Sequence, residues 1–334
     1  MKLIRKKKHP INHSNHKNHS SDKRPIALIS IYSIPILWGT TFAIVQRVLT
    51  DATPMAFVVV RLALVSIAFL SVSRPARRGA VLLFRARTRA ERLFRRDMLV
   101  LGASFGLGYI LQTAGLLTTT TSKSAFLTST AVVWTAILSY LVGRERITRR
   151  LVASVLLTLG GVFLMTQLYR VNGLTAGDLL TIGCAMAFGV YIIRIDKAVQ
   201  HAQEIAESEH EATMMVTSTQ MVAATILAAI FLPVIETPRF ALTPYSIGAL
   251  LFTAFIATGT TAYLQARYQS VVSPATAAVI YMIEPVTAML VAELFLTEQI
   301  SFLEMLGGLL IILGVIIAQT KFRAKLPESG SYVP

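Results

Sequence analysis

Ten apolar runs recur along this chain, each close to the ~20 residues that an α-helix needs to cross a bilayer. They lie near 26–46, 54–73, 98–117, 122–142, 150–168, 177–195, 212–235, 243–264, 274–296 and 302–320. Hydrocarbon offers no partner to a peptide N–H or C=O, so a lipid-facing run of this length has to satisfy its own backbone as a helix. Apolar residues make up 54% of the chain and charged ones only 15%, with a mean hydropathy of +0.61, which excludes a soluble globular domain. The expected fold class is an all-α integral membrane protein of ten transmembrane helices. Several runs open on a capping residue followed by proline at the first helical position, as at Thr53-Pro54, Thr243-Pro244 and Ser273-Pro274.

Orientation follows from the basic residues. Ten spans put both ends of the chain on one side. With that side cytoplasmic, 27 of the 32 Lys and Arg fall inside, nine of them in the connection 73–97. Arg47, Lys123, Arg170 and Arg239 fall outside, and Arg61 lies within a span. The positive-inside rule therefore places both termini in the cytoplasm, with the protein in the cell (inner) membrane. The net charge of +15 is accounted for by this topology, and nucleic acid is not an expected partner. Residues 1–25 read as a disordered, basic tail rich in histidine, and 321–334 as a second cytoplasmic tail. Four of the six histidines (His9, His13, His16 and His19) lie in the first tail, and His201 and His210 fall in a polar connection. No histidine is left to relay protons or bind metal within the membrane. The connection 73–97 interleaves arginine with Val, Leu and Phe. It reads either as an interfacial helix on anionic lipid or as a topology signal alone.

The chain also repeats itself. At a constant offset of 153, residues 106–162 overlay 259–315 without gaps: Gly106 on Gly259, Leu111-Gln112 on Leu264-Gln265, Glu145 on Glu298 and Gly161-Val162 on Gly314-Val315. The unit, 26–168 and then 177–320, is five spans, an odd number, so the second copy enters the membrane upside down. Inverted repeats of this kind build many secondary transporters, with the substrate site between the halves near the midplane.

The costliest side chain is Glu284, near the middle of the ninth run (PATAAVIYMIEPVTAMLVAELF) and followed by Pro285. A carboxylate at a helix centre costs about 2.5–3.5 kcal/mol on insertion scales. Pro285 removes one backbone donor and frees the Tyr281 carbonyl one turn earlier, so this face must look into protein or a wet cavity. Glu284 is either a proton carrier, a partner for a substrate amine, or a structural partner of Arg61. Arg61, the one basic residue deep in a span, either captures a substrate carboxylate with its guanidinium fork or pairs internally. No phosphate loop, metal-ligand cluster or nucleophile–base arrangement occurs, and no cofactor or metal is expected.

Several residues carry a resemblance: Trp38-Gly39 and Phe42 in the first span, Arg61 in the second, the span holding Gln220, GRERIT at 143–148, and LTEQIS at 296–301 behind Glu284-Pro285. Together they resemble the drug/metabolite transporter superfamily in its ten-helix EamA-type form, over about 30–320. The resemblance implies two inverted five-helix repeats around a central cavity lined mainly by spans 1, 3, 4, 6, 8 and 9. Trp38, Phe42, Tyr109, Trp134, Tyr191, Tyr263 and Tyr281 put aromatic rings on those spans, and Gln112 and Gln265 occupy matching repeat positions. Phe126, Thr130, Trp134 and Ile137 share one helical face, and the small residues in 104–108 and 258–261 read as helix-packing positions. The sequence departs from the family in the fourth span, where Ala131-Val132 stand opposite Glu284-Pro285, so the two halves are not chemically equivalent. The expected activity is secondary transport of a small amphipathic metabolite, amino-acid-like or a nucleoside conjugate, by alternating access with proton coupling or exchange. The alternative is an integral membrane enzyme or lipid-handling protein. The expected partners are that substrate and the bilayer.

Overall fold

The computed structural model describes the backbone over residues 15–115, 117–119, 121–167, 173–296 and 301–319. Side chains are described for the same residues except 15–24, 42, 43, 46, 121–123, 125, 292, 295 and 296. The side chains of Phe42, Lys123, His16 and His19, and all of His9, His13, Arg170, Glu298 and 321–334, therefore lie outside the described residues.

Every described element but one isolated bridge is helical, and each of the ten apolar runs corresponds to a helix or to a helix in two pieces. The first span is α1 (Asn15–Gly39) and α2 (Thr41–Val48), and the second is α3 (Pro54–Val72). A surface helix α4 (Arg74–Arg85) precedes the third span, α5 (Arg89–Gly115). The fourth is α6 (Thr121–Ser129) and α7 (Ala131–Leu141), and the fifth is α8 (Arg149–Met165). The second half runs α9 (Ala176–Gln203), α10 (Glu209–Ile235), then α11 (Pro244–Leu251) and α12 (Thr261–Tyr268) joined by a π-helical stretch at Phe252–Thr260. The ninth span is α13 (Pro274–Tyr281) and α14 (Glu284–Leu296), and the tenth is α15 (Phe302–Gln319). Seven of these helices or helix series are long and apolar enough to cross a membrane unaided.

The helices overrun the apolar runs at one end. α1 opens at Asn15, within the stretch expected to be tail, and α9 and α10 leave only 204–208 between them where a connection over 196–211 is expected. Helix continues there because its charged residues find partners. Asp97 on α5 meets His201 on α9 at 2.5 Å, Arg78 on α4 meets Glu211 on α10 at 2.8 Å, and Arg267 meets Glu209 at 2.6 Å. At the same end Glu145 Oε1 accepts from the Ala275 amide at 3.0 Å, covering the first turn of α13. Thus the connections 2–3, 4–5, 6–7 and 8–9 gather at this basic end. At the other end connections 1–2 and 7–8 meet: Ala52 bridges Phe240, Thr243 donates to Asp51 at 2.6 Å, and Glu236 accepts from the Ala56 amide at 2.8 Å. Asp178 lies there too, in the capping box of α9, taking a 2.5 Å hydrogen bond from Thr119. An alternating ten-span path is what sorts the connections this way.

The two halves cross each other in pairs that exchange under the repeat. α8 and α15 pack backbone to backbone: a Cβ on Gly307 would sit 2.5 Å from the Gly161 carbonyl oxygen, and one on Gly314 would sit 2.8 Å from that of Ser154. Shifted by 153, Gly161 becomes Gly314 and Ser154 becomes Gly307, so each contact is the image of the other. The Ser154 hydroxyl donates to the Gly314 carbonyl at 2.7 Å. Small residues are what let backbones approach this closely without a hydrophobic drive between lipid-solvated helices. Gly160, one residue away, faces open space. Gly161→Val should therefore lower stability by about 1–3 kcal/mol, read as a drop in thermal unfolding midpoint in detergent, while Gly160→Val leaves the midpoint nearly unchanged.

Candidate functional site

Three spans are interrupted within their length and the eighth widens into a π-helical register, and these changes follow from specific residues. In the ninth, Pro285 cannot donate to the Tyr281 carbonyl, and the chain turns through Met282 and Ile283 before restarting at Glu284. In the fourth the break falls at Thr130, the position matching Ile283 under the 153 offset, although no proline is present. There the Thr130 hydroxyl donates to the Leu127 carbonyl at 2.6 Å, drawing it away from the helical ladder. The two ninth- and fourth-span breaks are thus equivalent in place and different in cause. In the first span Thr40 and Thr41 donate to the Leu37 and Trp38 carbonyls, both at 2.7 Å. In the eighth, Thr258 and Thr260 each reach the carbonyl five residues back, at 2.9 and 3.0 Å, which matches the wider π-helical register.

The first- and ninth-span breaks touch. A Cβ on Gly39 would lie 2.6 Å from Thr287 Cβ and 2.7 Å from the Glu284 carbonyl oxygen. The image of this crossing is Gly189 of α9 on Trp134 and Thr135 of α7, with nearest distances of 3.1 and 3.2 Å. Thr287 and Ala288 shifted by 153 are Trp134 and Thr135, and Trp38-Gly39, which lie before the gap-free stretch, match Phe188-Gly189 at an offset of 150.

Around Glu284 the structure brings together much of what the sequence singles out. Trp38 donates its indole N–H to the Ala257 carbonyl at 3.0 Å and lies within 3.1 Å of the Thr261 hydroxyl. Its ring meets Tyr281 edge-on at 5.4 Å, the geometry aromatic pairs favour. Arg61 is buried on α3, its Nε donating to Thr258 at 2.6 Å, its guanidinium 5.6 Å from the centre of the Tyr109 ring. Tyr109 sits within electrostatic reach of both Arg61 and Glu284, and Cys184 is within reach of Glu284. Yet no ion pair joins Arg61 to Glu284, and no hydrogen bond among the described residues reaches the Glu284 carboxylate. Glu284, Tyr109, Gln112, Trp38 and Trp134 keep partial exposure, and Arg61, Tyr191, Gln265 and Tyr281 are buried. Arg61 and Glu284 thus both lie near Tyr109 without pairing with each other.

The glutamines are tied into the spans beside them. Gln112 donates to Thr128 at 3.1 Å. Gln265 donates to Gln269 at 3.0 Å, and Gln269 accepts from the Tyr281 hydroxyl at 3.2 Å. Thr128 and Tyr281 are themselves related by the 153 offset, so each half staples its third span to its fourth with a glutamine and a hydroxyl. Tyr191 lies deeper, tilted against Phe105 at 5.3 Å and accepting from Gln220 at 3.3 Å. Two aromatics stand away from this cluster: Tyr263 shares a 3.0 Å hydrogen bond with His210 at the basic end, and Phe126 packs edge-on against Phe163 of α8. Thr258 and Thr261, read from sequence as helix-packing positions, are polar anchors instead; their signal was the cluster of threonines at 258, 260 and 261 in a mainly apolar span.

The closeness of the Gly39 crossing sets an expectation. Gly39→Ala should reduce the yield of monodisperse protein, and any transport, more than Gly189→Ala, whose neighbours lie about half an ångström farther off. Fluorescence-detected size exclusion of the two variants compares them directly.

Comparison with known proteins agrees with this architecture. The model of the EamA-like transporter family matches twice, over residues 25–167 and 175–320. An uncharacterized transporter of Archaeoglobus fulgidus is 32% identical over 299 residues, covering 90% of this chain and 87% of that protein. A solved crystal structure shares the fold, with a TM-score of 0.73 at 14% identity over 90% of this chain and all of its own. With two tandem family matches and the exchanged helix crossings between them, the chain is a multi-pass membrane protein of the EamA-like transporter family, within the drug/metabolite transporter superfamily.

Proposed function

We propose that the protein is a secondary carrier that moves a small, amphipathic, amino-acid-like metabolite by alternating access. The observation that carries this reading is that two deep ionisable side chains near Tyr109, Arg61 and Glu284, form no pair with each other. Arg61 commits only its Nε to the protein, at Thr258, leaving the two terminal guanidinium nitrogens without a partner among the described residues. A substrate carboxylate fits that fork, and a substrate ammonium fits the Glu284 carboxylate. Trp38, Tyr109 and Tyr281 supply aromatic surface for the apolar part. The breaks in the first and ninth spans touch beside these groups, and the π-helical stretch of the eighth carries Thr258, which accepts from Arg61, as in carriers whose sites lie at discontinuous helices. Among the described residues Glu284 is the carboxyl that lies beside these rings, which supports proton coupling; exchange of one substrate for another is the competing mode. An enzymatic reading finds less support, since among the described residues no hydrogen bond joins the deep ionisable groups into an acid–base or nucleophilic pair. The concentration of arginine at the basic end supports an inner-membrane protein with both termini cytoplasmic and that end against anionic lipid.

Two experiments test this. In proteoliposomes, Glu284→Gln keeps the shape of the side chain and should abolish uptake driven by a pH gradient. Arg61→Gln should weaken counterflow of zwitterionic amino acids about 10–100-fold, the value of a lost charge-assisted hydrogen bond, with little effect on their methyl esters. Uptake and pH dependence that survive Glu284→Gln remove it as the coupling group. For orientation, Arg146→Cys, exposed at the basic end, should react with a membrane-impermeant thiol reagent only in inside-out vesicles, Cys184 being buried and silent.

A further inference from the structure

The connection between the second and third spans contains a helix whose outer face matches neither water nor protein. α4 is set by Ser73, whose hydroxyl accepts from the Ala76 amide at 3.2 Å, and follows α3 with only that residue between them. Its inner face, Ala76, Gly79, Leu82 and Leu83, is buried. Gly79 lies directly on Met215 and Thr219 of α10, so close that a Cβ there would strike the Thr219 hydroxyl. Two arginines lock the helix down. Arg78 bonds Glu211 and the Ile205 carbonyl, both at 2.8 Å, and Arg77 bonds the Leu70 and Ser71 carbonyls at 2.8 and 3.0 Å. The orientation of α4 about its axis is therefore fixed.

What it turns outward is Arg74, Val81, Phe84 and Arg85. Arg74, Val81 and Arg85 are spaced seven and four residues apart and share one face, with Phe84 beside them. Val81 is 53% exposed and Phe84 73% exposed. Neither Arg74 nor Arg85 has a partner among the described residues. Of the two acids in the connection, Asp97 is held by His201 and Glu91 by the Arg87 and Thr88 amides at 2.8 and 2.9 Å. An outward face that alternates cations with a phenylalanine and a valine, at the level where two spans leave the membrane, has the chemistry of the headgroup boundary. There the guanidinium meets phosphate while the ring enters the acyl region.

We infer that the outer face of α4 is a binding surface for anionic phospholipid, held in a fixed orientation by Gly79, Arg77 and Arg78. This sharpens the bilayer partner named above and rests on the orientation proposed there. The test uses the full-length protein equilibrated in detergent with equal amounts of phosphatidylglycerol and phosphatidylcholine, retained lipid being counted by native mass spectrometry. Wild type should retain phosphatidylglycerol preferentially. Arg74→Gln with Arg85→Gln should cut that preference by roughly ten- to thirtyfold, from about fivefold per basic residue near the surface. Phe84→Ser should weaken retention of both lipids. Arg146→Gln, an exposed arginine at the same end but off α4, should leave the ratio unchanged. An equal fall with Arg146→Gln, no fall with the α4 pair, or displacement of the lipid by free glycerol phosphate would each overturn the assignment. Arg77 and Arg78 are kept in every variant, and the thermal midpoint checks that the helix stays docked. Substrate counterflow and thiol labelling are separate readouts, so failure of lipid preference with both intact counts against this surface alone.

Discussion

A break in a helix at membrane depth leaves peptide groups that lipid cannot satisfy, and this molecule depends on finding protein partners for them. It does so mainly with hydroxyls and close glycines. Threonines 40, 41, 130, 258 and 260 each bond a carbonyl of their own span, and Trp38 reaches across to the Ala257 carbonyl in the π-helical stretch. Glycines 39 and 189 then bring neighbouring spans near enough to shield the broken segments. Around Glu284 the first and ninth spans are interrupted and the eighth widens into a π-helix, and hydroxyls and glycines of the same and neighbouring spans pack against these segments. The same economy explains why charge is tolerated there: Arg61 is anchored by a threonine that also serves the π-helix.

Much of this was legible in the sequence, and the reasons are physical. Ten runs of spanning length, the arginine distribution and the 153-residue offset each report on a constraint that acts along the chain, so the span count, their alternation and the repeat can be read without coordinates. Glu284-Pro285 likewise announces its own break. The break at Thr130 is different, because a threonine can continue a helix or interrupt it, and the choice is made by its neighbours. Composition around Ala131-Val132 therefore suggested two unlike halves, whereas the backbone breaks at matching positions in both. The same holds for 258–261, where threonine next to glycine reads as packing until Arg61 and Trp38 are seen to bond there.

Helix ends were the other part that lay beyond sequence reasoning. Apolar periodicity stops where side chains become charged, but helix stops where backbone satisfaction stops. At the basic end α5, α9 and α10 run on because Asp97 has His201 and Glu211 has Arg78. Such pairs link residues far apart in sequence, and a linear pattern holds no trace of them. Pairing also explains why Tyr263 belongs to that end and not to the aromatic cluster: its hydroxyl is shared with His210.

The crossing of α8 and α15 has one more consequence. Exchanging the two halves turns Gly161 on Gly307 into Gly314 on Ser154, so the contact is its own mirror partner. The seam is therefore built from both repeats at once, each giving one glycine and one small residue to a crossing that maps onto itself. A substitution at either end of it loosens both halves together, so the two repeats are joined along this line as one body.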